Sequence, residues 1–186
     1  MKTHNKHLYK TVISALLLAI GLYLPFLLGQ VEVLGQTISP LHIPALLCGL
    51  TCGWGWGAVL GAVLPLLRTL FFGMPPMPTA LPMAFELAAY GALSGLLYPL
   101  FVRLFRQDSR FPAMLCAMIV SMLVGRIVGG AAKACMMGFQ GNTYTVEAFI
   151  AAYFTSTAVG AVLHLIIVPA VTAALEKSKL SPMWMG

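Results

Sequence analysis

Four charged side chains sit inside long apolar stretches: Arg68, Glu86, Arg126 and Lys133, with His164 as a fifth titratable group. A charge at a bilayer centre costs between about 2.5 and about 17 kcal/mol. Such residues therefore face the interior of a helix bundle and mark a functional site. The competing account is snorkelling, in which a long side chain near a helix end lifts its head to the interface. Depth decides between the two. Arg68 lies about one turn from the outer end of its segment, where snorkelling suffices. Glu86 lies one to two turns from the outer end of the next segment. It is shorter and needs a partner, and Arg68 is expected at matching depth, either as a structural ion pair or as one wall of a site.

Arg126 lies about 14 residues, roughly 21 Å, into its own segment, in mid-membrane and beyond easy snorkelling. Lys133 follows seven residues later on the same helix face. The surrounding line "GRIVGGAAKACMMG" is rich in Gly and Ala, which leave space beside the helix. Cations beside space predict a pocket wall. Three cations, Arg68, Arg126 and Lys133, stand against one anion, Glu86, so an anionic ligand, most simply a carboxylate, would balance the excess. Asn142, in the loop "FQGNTYTVE", completes the expected substrate-binding set. His164 is read as a hydrogen-bonded packing residue.

Other chemistry is not signalled. There is no Walker lysine motif, no H-E-x-x-H, no G-x-S-x-G and no pair of carboxylates at helical spacing. The chain is therefore expected not to be an enzyme, and no catalytic residue, cofactor or metal site is assigned. Cys48 and Cys52 have i,i+4 spacing near His42, but a thiol also packs as a small hydrophobe. Cys116 and Cys135 likewise fall in apolar segments, and no spacing calls for a disulfide.

The elements that must position these groups follow from composition. Of 186 residues, 60% are hydrophobic and 9% charged, against roughly 25% charged in a soluble domain. An all-α, polytopic membrane protein is the reading, with residues 1–186 forming one integral membrane domain. Six spans are drawn, at about 11–29, 41–53, 54–72, 81–105, 112–138 and 146–175. A 19-residue helix reaches about 28 Å, close to the hydrocarbon thickness. The second segment is too short to cross alone and needs shielding by protein. The first, with Lys2, Lys6 and Lys10 before it, resembles a signal peptide. It is long for one and has no small-residue cleavage site, so it is read as retained.

Eight of the eleven Lys and Arg fall at the N-terminus, in the fourth connection and in the tail, and three within spans. The outer connections Gln30–Pro40, Gly73–Ala80 and Phe139–Thr145 have none. Both termini are therefore expected in the cytoplasm. Trp54 and Trp56 suit an inner interfacial anchor. No internal repeat is visible, which argues against an inverted-repeat transporter.

The line "SPLHIPALLCGLTCGWGWGAVLGAVLPLLRTLFFG", the segment "MAFELAAYG" and the closing "AVLHLIIVPAVTAALEK" resemble the substrate-binding S components of energy-coupling factor (ECF) transporters, in their vitamin-transporting branch. Ala15 and Ala19 match the A-x-x-x-A surface by which that family's first helix meets its transmembrane coupling protein, and small residues one turn apart do let helices approach closely. The resemblance implies high-affinity capture of a scarce micronutrient at the outer side of a bacterial cytoplasmic membrane. It also implies closure by the outer loops, toppling against the coupling protein, and energy from two ATPase subunits. A carboxylate-bearing, pantothenate-like vitamin fits the excess of cations. Riboflavin, or a basic pyridine or pyrimidine held by Glu86, is the alternative ligand. A channel or membrane enzyme is the alternative class.

Overall fold

The structure is a computed structural model and describes residues 3–27, 39–105, 110–178 and 180–181. Of the expected occluding loop Gln30–Pro40, only Ser39 and Pro40 fall within the described residues, and Lys2, Arg106 and Lys179 fall outside them. All regular structure among the described residues is helical. It comprises α1 (Thr3–Leu27), α2 (His42–Cys52), α3 (Trp54–Phe72), α4 (Met77–Phe105), α5 (Phe111–Phe139), α6 (Val146–Ile150), a π-helical turn (Ala151–Thr155) and α7 (Ala158–Lys177).

Near-continuous apolar sequence forces this outcome, because in lipid a helix is the open-ended element that satisfies its own backbone. Five helical stretches are long and apolar enough to cross a membrane: Lys6–Phe26, Trp54–Phe72, Met77–Phe105, Phe111–Phe139 and Val146–Lys177. The breaks fall where the sequence supplies them. Gly73 ends α3 at φ 69°, returning its N–H to the Thr69 carbonyl at 2.9 Å, the left-handed helix stop that glycine permits. Thr145 opens α6 by accepting the Ala148 N–H on its side-chain oxygen at 3.2 Å, an ordinary N-cap.

The short second segment is shielded as its length requires. Helix α2 has 11 residues, all buried except Ile43. It lies inside the bundle, against α1, α3, α4 and α7. Helix α4 packs most extensively, between α3 and α5. Glycines set that packing: a Cβ on Gly57 would collide with the Gly91 carbonyl, one on Gly61 with the Leu87 carbonyl, and one on Gly49 with Gly91 and the Ser94 hydroxyl. Backbones meet there with no side chain between them, the close approach that small residues permit in membranes. At the far end of α4, the Tyr98 hydroxyl donates to Glu176 Oε1 at 2.7 Å, and Arg110 lies 4.0 Å from Glu176 Oε2. That cluster ties α4, the entry to α5, and α7 together.

Candidate functional site

A cavity of ≈ 140 Å³ opens between α2, α4, α5, the π-helical turn and α7. Its depth follows from the glycine contacts. Gly61 abuts Leu87, Gly125 abuts the Tyr90 ring, and a Cβ on Gly129 would stand 2.7 Å from Glu86 Cβ. So α4 and α5 run antiparallel, with Glu86 level with Gly129 and Tyr90 level with Gly125. The glycine face of α5 leaves the room that Glu86 and Tyr90 occupy.

Glu86 is 7% exposed, and the elements around it hold its carboxylate. The Tyr90 hydroxyl, one turn along α4, donates to Glu86 Oε1 at 2.7 Å. His42 Nε2, at the first residue of α2, lies 3.5 Å from the same oxygen. His42 Nδ1 is 2.8 Å from the Ser39 carbonyl. The His42 ring stacks on the His164 ring, with centroids 5.4 Å apart, and tilts against Tyr90 at 5.1 Å. On the α5 side, Arg126 and Lys133 both line the cavity, two turns apart as their spacing requires. The Arg126 guanidinium lies over the Phe154 ring at 5.4 Å, and the Lys133 ammonium over the Tyr144 ring at 5.9 Å. Burial pushes the Tyr144 phenol above its usual range. Tyr153 also lines the cavity, its ring 5.4 Å from that of Phe149.

Glu86, Arg126 and Lys133 are therefore brought together, and Arg68 is not. Arg68 donates to the Leu22 carbonyl at 2.7 Å, and its guanidinium lies over the Phe26 ring at 5.1 Å and the Phe72 ring at 5.9 Å. The expected Arg68–Glu86 pairing fails for a reason of depth. Helix α4 starts at Met77 rather than Leu81, so Glu86 sits deeper than its segment suggested. It is level with Gly61, and Arg68 is seven residues, about 10 Å, further along α3. With Arg68 withdrawn to α1, the cavity's formal excess falls from two positive charges to one. Asn142 also lies apart: it is exposed in the turn after α5, and its N–H returns to the Met137 carbonyl at 2.9 Å.

Two histidines that the sequence does not single out for the site, His42 beside the cysteines and His164 as a packing residue, both line the cavity. Tyr90 was legible, four residues after Glu86 and so on its face. Tyr153 carried no signal, because a π-helical turn sets its direction. Among the described residues no group of three or more His, Cys, Asp or Glu is placed to hold a metal ion. Ala15 and Ala19 lie on an exposed face of α1.

Residues 9–176 match the model of a family described as ECF transporter, substrate-specific component. No curated protein and no solved structure matches the chain.

Proposed function

The chain belongs to the substrate-specific components of ECF transporters, and from that premise we propose that it captures a small, singly charged anion, a water-soluble monocarboxylate of the pantothenate kind. The carrying observation is the charge of the cavity. Arg126 and Lys133 line it against the one carboxylate of Glu86, leaving a single positive charge for a ligand to balance. Size supports a small ligand. The cavity, ≈ 140 Å³, is small beside the usual ligand pocket of roughly 300–1,000 Å³. The hydroxyls of Ser39, Thr79 and Thr157 on the lining suit a ligand with its own hydroxyl or amide groups. A basic heterocycle is the second reading, favoured by the Glu86 carboxylate beside the stacked imidazoles.

In this reading the protein is a transport subunit of a cytoplasmic membrane, not an enzyme. It works with a transmembrane coupling protein and two ATPase subunits of its family's kind. The exposed Ala15 and Ala19 form the close-approach surface for the coupling protein. Leu at both positions is expected to abolish co-purification with that partner and to leave ligand binding intact.

The test is calorimetric binding by the purified protein across pantothenate, its neutral alcohol panthenol, nicotinate, pyridoxine and thiamine. A monocarboxylate is expected to bind with Kd below about 1 μM, panthenol far more weakly, and Arg126→Ala to lose at least about a hundredfold in affinity. Tight binding of a cation that Glu86→Gln abolishes would favour the second reading. Binding of none of the panel below about 1 μM would sink both.

A further inference from the structure

The His42–Glu86 contact holds more than its two side chains can supply. His42 Nδ1 lies 2.8 Å from the Ser39 carbonyl, and a carbonyl only accepts, so that nitrogen carries a proton. A neutral imidazole then has a bare lone pair at Nε2. That lone pair faces Glu86 Oε1 at 3.5 Å, and an ionised carboxylate oxygen also only accepts. The Tyr90 proton is already committed to the same oxygen at 2.7 Å. Two lone pairs would thus face each other with both side chains nine-tenths buried, where water does not screen them. One further proton, on His42 or on Glu86, turns the contact into a charge-assisted or neutral hydrogen bond.

The surroundings decide when that proton stays. The titratable and charged groups facing the pair among the described residues are Tyr90 from α4, Arg126 and Lys133 from α5, Tyr153 from the π-helical turn and His164 from α7. None adds a negative charge while the tyrosines are protonated. Binding the proton therefore raises the cavity's excess from one positive charge to two, against the repulsion of Arg126 and Lys133. An anion in the cavity removes that penalty, so proton and anion favour each other's binding by the same factor.

We propose that the His42–Glu86 pair takes up one proton when the cavity binds its anion, so that the site selects an anion plus a proton over a neutral analogue. This rests on the anion-site reading above. The proton comes from bulk water and returns to it on release, and no bond within the ligand changes. The sign is fixed: low pH fills the pair and tightens anion binding, and rising pH empties it and loosens the ligand. A subunit loaded from mildly acidic surroundings and opened to a neutral interior would release its ligand more readily.

Two measurements on the purified full chain separate this proposal from the reading it rests on. First, pantothenate and panthenol are titrated calorimetrically between about pH 5 and about pH 9 in buffers of different ionisation enthalpy. Uptake of up to one proton per pantothenate is expected, with Kd rising by up to about tenfold per pH unit on the alkaline side. Glu86→Gln should show neither effect. Second, ¹⁵N-histidine NMR follows His42 in the ligand-free protein over the same range, assigned with His42→Gln. Its ring nitrogens are expected to change state with pH in the unmodified protein and to lose that transition in Glu86→Gln. Anion binding with no proton uptake and a pH-independent Kd overturns the proposal and leaves the anion site standing. If no monocarboxylate binds, the anion site falls, and with it the linkage; a titrating His42 would then leave only the proton-holding pair.

Discussion

Glycine does opposite work on the two faces of α4. On the α3 side, Gly57, Gly61 and Gly91 bring backbone against backbone, with Gly49 of α2 in the same seam. On the α5 side, Gly125 and Gly129 face side chains, the Tyr90 ring and the Glu86 stem, and Gly130 faces the Phe149 ring. The first arrangement removes space and makes a fixed strut. The second makes space and fills part of it with the groups that could do chemistry. Small residues at four-residue spacing are thus a statement about distance between helices, and what stands opposite them decides whether the result is a seam or a site.

The largest effect should come from breaking the seam. Leu at Gly91 would have to enter the Gly57 backbone, which no rotamer change can avoid, and overpacking of that kind costs about 1–3 kcal/mol or more even where side chains can yield. Gly91→Leu is expected to give no monodisperse protein on size exclusion in detergent. A well-folded Gly91→Leu protein would mean the helices can part without loss, and the seam would not be a strut.

Next comes a substitution on the other face. A Cβ at Gly129 would stand 2.7 Å from Glu86 Cβ and 3.1 Å from the Tyr153 ring, so Gly129→Ala, the smallest change available there, pushes directly on the Glu86 stem and the Tyr153 ring. Folding and thermal stability should survive to within about 2 kcal/mol, while affinity for the cavity's ligand falls by at least about a hundredfold. Loss of folding in place of binding would make the two faces alike.

Much of this contrast was legible in the sequence. "GWGWGAVLG" and "GRIVGG" both advertise close helix approach, and the polytopic helical class follows from hydropathy alone. The seven-residue spacing of Arg126 and Lys133 puts both on one helix face, and both line the cavity. What stayed hidden was register between helices. Nothing in the sequence says that α4 begins four residues before Leu81, an offset that carries Glu86 deeper than Arg68. The histidines were hidden for a related reason: His42 gains its role from Glu86, 44 residues away, and only the packing of α2 inside the bundle joins them.

Arg68 sharpens the contrast between structural and site charges. It is as buried as Arg126, each 9% exposed, yet its partners are a backbone carbonyl and two aromatic rings joining α3 to α1. Replacement by Met keeps the stem and removes the charge, leaving the Leu22 carbonyl without that donor. Arg68→Met should lower stability by about 1–3 kcal/mol and leave ligand affinity within about twofold, read by thermal unfolding and calorimetry. A loss of affinity rivalling that of Arg126→Ala would return Arg68 to the site.

The smallest effect is expected at the thiols, and it tests whether α2 itself divides between the two kinds of region. His42 opens that helix in the cavity, while Cys48, six residues or about 9 Å further on, is fully buried with its Sγ 3.3 Å from the Ser14 hydroxyl of α1. Cys52 Sγ points to the Lys10 carbonyl at 3.9 Å. Both thiols thus face α1, filling space where the helix needs a small apolar group. Cys48→Ala removes one sulfur from that contact and should lower stability by about 1 kcal/mol, with ligand affinity within about twofold and unchanged by a chelator. Affinity that tracked the thiol would mean that strain at the α1 contact reaches His42 through one rigid turn and a half of helix. Stable affinity would mean that α2 carries the site at its first residue and serves as packing for the rest of its length.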